Sequence, residues 1–128
     1  MSTDIEKKEL EIDGYGMIYS CTLEKCRGVI IYYQEHISVS EYKFANSNFD
    51  EASWCMVKLE NKETLLLGAV YRSPNSTDIN TRNLLTLLDA FSEVRCNYKL
   101  IVGDFNFPNI NWTDWTTPHG IIYRESLF

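Results

Sequence analysis

The chain has 128 residues, with 18 Asp and Glu against 12 Lys and Arg, which gives a formal charge of −6. With 45% hydrophobic residues it has enough apolar surface to form one domain over 1–128, and wholesale disorder is excluded. The acidic balance disfavours a protein that binds nucleic acid through a broad basic surface, but not a nuclease that engages phosphate through a metal ion. No apolar stretch approaches the roughly 20 residues that span a bilayer, and the charged start at 4–9 is no signal peptide. We therefore expect an intracellular protein without membrane contact.

The hydrophobic pattern predicts a series of short strands in the first half of the chain. Alternating or continuously apolar segments, separated by polar turns, indicate five of them. Their predicted ranges are 15–22, 28–34, 37–44, 54–60 and 64–71. The last two are predicted to pair as a hairpin around Asn61 and Lys62, and the strand over 64–71 is apolar enough to lie at the centre of a sheet.

The period of the pattern then changes from two to about 3.6, which predicts an amphipathic helix over 80–94. The residues that define its apolar face are Leu84, Leu87, Leu88, Phe91 and Val94. Just before them, Thr77, Asp78 and Asn80 supply oxygens that can cap the free N–H groups of the first turn.

A further apolar strand is predicted over 98–102, directly after the helix. A strand, a helix and a second strand imply a right-handed crossover, and the carboxyl ends of the two strands are adjacent if the strands are parallel neighbours. Ligands usually bind at that end of an open α/β sheet. We therefore expect Tyr71 and Arg72 to lie close to Asp104 and Asn106.

The most informative segment, 101–108, reads Ile-Val-Gly-Asp-Phe-Asn-Phe-Pro. Gly103 permits a close backbone approach, and Phe105 is predicted to point away from Asp104 and Asn106, which then emerge on one side of an extended stretch. A carboxylate beside an amide that donates and accepts suits a site that orients a water and holds a phosphate oxygen. The alternative is a strand-to-turn transition in which both side chains satisfy local N–H groups.

Two motifs flank the predicted helix. The first is Val-Tyr-Arg-Ser-Pro-Asn-Ser over 70–76, and the second is Gly-Asp-Phe-Asn-Phe-Pro over 103–108, with Asn-Trp at 111–112. Together they closely resemble the endonuclease domain of non-long-terminal-repeat retrotransposons, which belongs to the endonuclease/exonuclease/phosphatase superfamily. The similarity extends more weakly upstream, so that the clear resemblance covers about 12–112.

The resemblance implies an α/β fold, here a partial four-layer α/β/β/α sandwich, and a magnesium-dependent cut of a DNA phosphodiester by an activated water. It also implies a nuclear location. Carried over by position, Asp104 orients or deprotonates the water and is a candidate magnesium ligand. Asn106 holds the phosphate or Asp104, and Tyr71 contacts the scissile phosphate, each in keeping with its side-chain chemistry. Arg72 is a candidate phosphate ligand.

Parts of the family's catalytic set have no counterpart in this sequence. The metal-binding Glu is absent, and so is the closing Ser-Asp-His motif. His36 and His119 lack that context and are expected to be surface residues. Because metal-assisted hydrolysis needs fixed ligands and a base in reach, we expect a fragment of such a domain, weakly active or inactive alone.

Two alternatives remain open at this point. One is a non-catalytic interaction module on the same sheets, whose unpaired edge accepts a partner strand or self-associates. The other is a phosphodiesterase of the same superfamily that acts on lipid or inositol phosphates. The four cysteines lack zinc-site spacing and are expected to be reduced thiols. Glu51, Glu60 and Glu63 are expected to form a solvated face.

Overall fold

The computed structural model describes residues 8–21, 28–107, 116–117 and 120–121. Residues 8–10 are helical, and a short 3-10 turn spans Glu60–Lys62. The other elements in chain order are β1 (Tyr15–Cys21), β2 (Gly28–Gln34), β3 (Ser38–Glu41), β4 (Ala52–Lys58), β5 (Thr64–Tyr71), α1 (Asp78–Glu93), β6 (Tyr98–Asp104), β7 (Thr116–Thr117) and β8 (Gly120–Ile121). The fold is therefore mixed α/β, as the sequence predicts.

The strands form one four-stranded sheet and two small antiparallel pairs. The four-stranded sheet has the order β3-β4-β5-β6, while β1 pairs with β2 and β7 with β8. The pairs β3–β4 and β4–β5 are antiparallel, whereas β5 and β6 are parallel and are connected through α1. The predicted hairpin and the predicted strand–helix–strand crossover are both confirmed.

Helix α1 covers one face of the four-stranded sheet. Its residues Leu84, Leu87 and Phe91 are buried in a cluster with side chains from β4 and β5. The indole of Trp54 lies over Gly68 on the neighbouring strand, with a ring atom 2.2 Å from where a Cβ would stand. A side chain at position 68 would displace that indole, so a glycine in a central strand is a packing requirement here.

The pair β1–β2 packs on the opposite face. Strand β1 contacts β4, and β2 contacts β4 and β5. The hydroxyl of Ser53, a buried polar residue, donates a hydrogen bond to the carbonyl of Val29 and so joins the two sheets. The small sheet leaves β6 largely uncovered, and the side chains of Tyr98, Leu100 and Val102 are 51%, 49% and 48% exposed.

The described residues thus form three layers, with a helix, a four-stranded sheet and a two-stranded sheet. Strand β3 is shorter than predicted because the chain leaves the sheet after Glu41, and the next aromatic residues pack against the core. Tyr42 meets Phe44 edge-on at 4.9 Å between ring centroids, and Phe44 meets Trp54 at 5.0 Å. The helix begins at Asp78, where the Oγ1 of Thr77 accepts the N–H of Asn80 at 3.1 Å.

Candidate functional site

The carboxyl ends of β5 and β6 bring the predicted site residues together. In the parallel register Tyr71 lies opposite Asp104. The backbone N–H of Arg72 donates to the Asp104 carbonyl at 2.8 Å, which extends the ladder one residue past the end of β5. The position of each residue at this sheet end follows from the crossover that the sequence predicts.

Gly103 makes the close approach of the two strands possible. Its φ is +153°, and a Cβ added there would stand 1.8 Å from the carbonyl oxygen of Val70. No side chain fits in that space, and L-residues rarely adopt this backbone region. Gly103 therefore lets β6 deliver Asp104 beside the end of β5.

Asp104 and Asn106 are joined by a local hydrogen bond. The carboxylate Oδ1 of Asp104 accepts the backbone N–H of Asn106 at 3.0 Å, and the Asn106 side-chain amide donates to the carbonyl of Arg72. The expectation of an extended stretch through both residues is wrong, because β6 ends at Asp104 and Asn106 has φ +51°. Phe105 does turn away, since it packs against the core.

The local hydrogen-bonding alternative therefore describes part of this geometry. One carboxylate oxygen of Asp104 accepts a nearby N–H group, as in an ordinary strand-to-turn transition. The Asp104 side chain is nevertheless exposed, and no described residue donates to its second oxygen. The same carboxylate thus holds the loop and presents an acceptor to solvent at the sheet end.

Arg72 has more partners than any other side chain at this end of the sheet. Its Nε and Nη2 donate to the Oγ1 of Thr81 on α1, at 3.2 and 3.0 Å. Its Nη1 donates to the carbonyls of Asn106, at 2.9 Å, and Phe105, at 3.4 Å. The guanidinium carbon lies 4.1 Å from the centre of the Phe107 ring, within range of a cation–π contact. From the sequence Arg72 is a candidate phosphate ligand, and these contacts are not predicted.

Tyr71 is the exposed aromatic residue of the site. It is 36% exposed, and its backbone N–H donates to the carbonyl of Glu51 at 2.9 Å. Its phenol makes no hydrogen bond to a described residue. The hydroxyl is therefore able to donate to a ligand.

Glu51 is the residue that sequence reasoning missed. Its predicted place on a solvated face is wrong, because its Oε2 is buried and has no partner among the described residues. A two-residue turn at Asn61 and Lys62 would pair Glu51 with Arg72. The hairpin instead closes with Leu59 N–H donating to the Glu63 carbonyl at 2.8 Å, which shifts the register and sets Glu51 opposite Tyr71. The length of the β4–β5 loop determines this register, and the sequence alone does not fix that length.

The donor set fits magnesium in type. Mg²⁺ in proteins is commonly held by one or two carboxylates together with substrate phosphate oxygens and water. The exposed carboxylate of Asp104 and the unpartnered Oε2 of Glu51 supply that donor type along one end of the sheet. The described side chains contain no group of three or more His, Cys, Asp or Glu that could hold a metal by themselves.

The histidines and cysteines complete the set of residues considered in the sequence. His36 is exposed in the turn between β2 and β3, while His119 lies outside the described residues. Cys55 is a buried free thiol whose pKa is raised by burial.

None of the described helices is long and apolar enough to cross a membrane. Comparison of the chain with protein-family models and with curated proteins gave no match.

Proposed function

We propose that this chain carries the site of a retrotransposon-type DNA endonuclease, which hydrolyses a phosphodiester with an activated water and magnesium. The observation that carries the proposal is the parallel register that sets Tyr71 beside Asp104, with Asn106 bonded to the same carboxylate. An acceptor for a water proton and a phenolic donor for a phosphate oxygen are thereby neighbours. We also propose that the fold is a partial four-layer α/β/β/α sandwich and that the protein is nuclear.

Each side chain has one task in this mechanism. Asp104 accepts a hydrogen bond from the attacking water through the oxygen that does not hold Asn106, and so orients the water or takes its proton. Tyr71 donates to a phosphate oxygen as negative charge develops on it. Asn106 keeps the Asp104 carboxylate in place through its backbone N–H. Bound Mg²⁺ supplies Lewis-acid stabilisation of the phosphate charge, with Asp104 as its first candidate ligand and Glu51 as its second.

Plasmid nicking with a binding control tests the proposal. We expect slow, Mg²⁺-dependent nicking of supercoiled plasmid by the 128-residue chain and its loss in Asp104→Ala. Asp89→Ala, on the exposed side of α1, is the matched control and is expected to nick like the unaltered chain. Mg²⁺-dependent binding of a short phosphorothioate duplex, followed by fluorescence anisotropy, should weaken in Tyr71→Phe. The proposal is wrong if the unaltered chain shows neither nicking nor Mg²⁺-dependent DNA binding.

A second candidate function is strand-mediated association. Strand β6 is the last strand of its sheet among the described residues, and its uncovered face carries Tyr98, Leu100 and Val102. An edge with an apolar face is a template for pairing with another chain. We expect concentration-dependent self-association that Leu100→Lys abolishes and that Leu85→Lys, at an equally exposed leucine of α1, leaves unchanged. A protein that stays monomeric at all concentrations in light scattering removes this candidate.

A further inference from the structure

We infer that Arg72 is a positioning residue, which fastens the loop over 104–107 to helix α1 and so fixes where Asp104 and Asn106 stand. The catalytic consequence of this role rests on the proposed function, whereas the structural role stands on the contacts alone. The inference departs from the phosphate contact that the sequence indicates for this residue.

The side chain of Arg72 is a bridge between two parts of the fold. One edge of its guanidinium donates twice to the Thr81 hydroxyl, which belongs to α1. The remaining nitrogen donates to two consecutive carbonyls, those of Phe105 and Asn106. A planar group with five N–H donors in fixed directions is suited to such a bridge, and an ammonium group cannot reproduce it.

The backbone of Arg72 holds the same loop. Its N–H donates to the Asp104 carbonyl at 2.8 Å, and its carbonyl accepts the side-chain amide of Asn106. The loop is therefore bound to this one residue through its N–H, its carbonyl and its side chain. These bonds surround Asn106, whose left-handed backbone conformation, φ +51°, needs support from its neighbours.

The surroundings of the guanidinium favour this role over direct binding of phosphate. The ring of Phe107 lies 4.1 Å from the guanidinium carbon and covers one face of the group. At least three of the five N–H groups already have acceptors in the protein, and Arg72 itself is only partly exposed. A phosphate would have to displace the Thr81 hydroxyl before it could bind the Nε and Nη2 edge of the guanidinium in a bidentate manner.

Two substitutions separate the positioning role from a phosphate contact. Arg72→Lys keeps the positive charge but removes the planar bridge, and Thr81→Val removes the anchor on α1 without any change in charge. Thr86→Val is the matched control, because its hydroxyl bonds only to the carbonyl of Arg82 within the same helix. We expect the first two variants, but not the control, to shift the Asn106 amide signals in ¹H–¹⁵N spectra. Hydrogen exchange at the Asn106 N–H should rise by about fivefold.

Measurements of the nicking rate and of the Kd for DNA test the catalytic consequence of this role. With a positioning role, Arg72→Lys and Thr81→Val lower the nicking rate at saturating DNA by at least about tenfold and leave the Kd for DNA unchanged. A raised Kd with unaltered Asn106 signals would identify Arg72 as a phosphate ligand and overturn the inference. Unaltered signals in both variants would overturn it whatever the DNA result. Altered signals in a chain without Mg²⁺-dependent DNA binding or nicking would keep Arg72 as the loop's anchor and remove the proposed function.

Discussion

Replacement of Gly103 by alanine is expected to lower the free energy of unfolding strongly and to distort the candidate site. The added Cβ would stand 1.8 Å from the Val70 carbonyl oxygen, far inside contact distance, and the residue would have to keep a φ of +153°. Overpacking of this kind costs about 1–3 kcal/mol. The unfavourable backbone region adds about 1–3 kcal/mol. A loss of about 4 kcal/mol is a large part of the stability of a domain, which is typically about 5–15 kcal/mol.

Gly14 provides a control for a glycine with positive φ and no close contact. It also has a positive φ, +83°, but a Cβ added there meets no atom within 4 Å. Gly14→Ala is therefore expected to cost only the backbone contribution, about 1–2 kcal/mol. The excess loss in Gly103→Ala therefore combines the close approach of β6 to β5 with a less favourable backbone region.

Urea unfolding followed by circular dichroism gives both free energies of unfolding. We expect a much lower midpoint for Gly103→Ala than for Gly14→Ala, with similar slopes in the two transitions. Equal losses in the two variants would refute the argument, because they would show that the strand ends move apart at no cost. Gly103→Ala should also lose DNA binding, since Asp104 follows it directly.

Three further predictions concern single side chains. Glu51→Gln should raise the free energy of unfolding by about 1 kcal/mol without Mg²⁺, because a neutral amide replaces a buried, unpartnered carboxylate oxygen; a loss of stability would show that this oxygen has a partner. Thr77→Ala should lower the free energy of unfolding by about 1 kcal/mol, because the helix loses its N-terminal cap. Thr86→Ala, within the same helix, is the control, and equal effects of the two variants in thermal denaturation would exclude a capping role. Burial raises the pKa of the Cys55 thiol above its ordinary value of about 9, so the native state keeps the proton to higher pH than the unfolded chain does. Stability should thus fall as pH rises above about 9, and should fall less in Cys55→Ala.

The sequence predicts the fold wherever periodicity determines it. Strands β2 and β5 have the predicted bounds, and the spacing of Leu84, Leu87 and Phe91 identifies the face of α1 that is buried. Because β5 and β6 are parallel neighbours connected through a helix, as the crossover rule predicts, the meeting of Tyr71 with Asp104 also follows from sequence. These features depend on local pattern and on one topological rule.

The features that sequence did not predict depend on details of backbone geometry. The loop of the β4–β5 hairpin has one residue more than a two-residue turn, and that difference decides which residue faces Tyr71. The contacts of Arg72 depend on where α1 begins and on the left-handed turn at Asn106. Neither is encoded in hydrophobic period, so Glu51 and the role of Arg72 became visible only in three dimensions.

The two-stranded sheet covers only part of the four-stranded sheet, so the two strands at the site differ in how far they are covered. The small sheet lies over β4 and β5 and stops before β6. Of the two facing residues, Tyr71 therefore belongs to the covered strand and Asp104 to the uncovered one. Within the described part of the chain, Asp104 is therefore open on the β6 side, where Leu100 and Val102 are also exposed. A ligand bound at Asp104 that extends along β6 would therefore also contact these two apolar side chains.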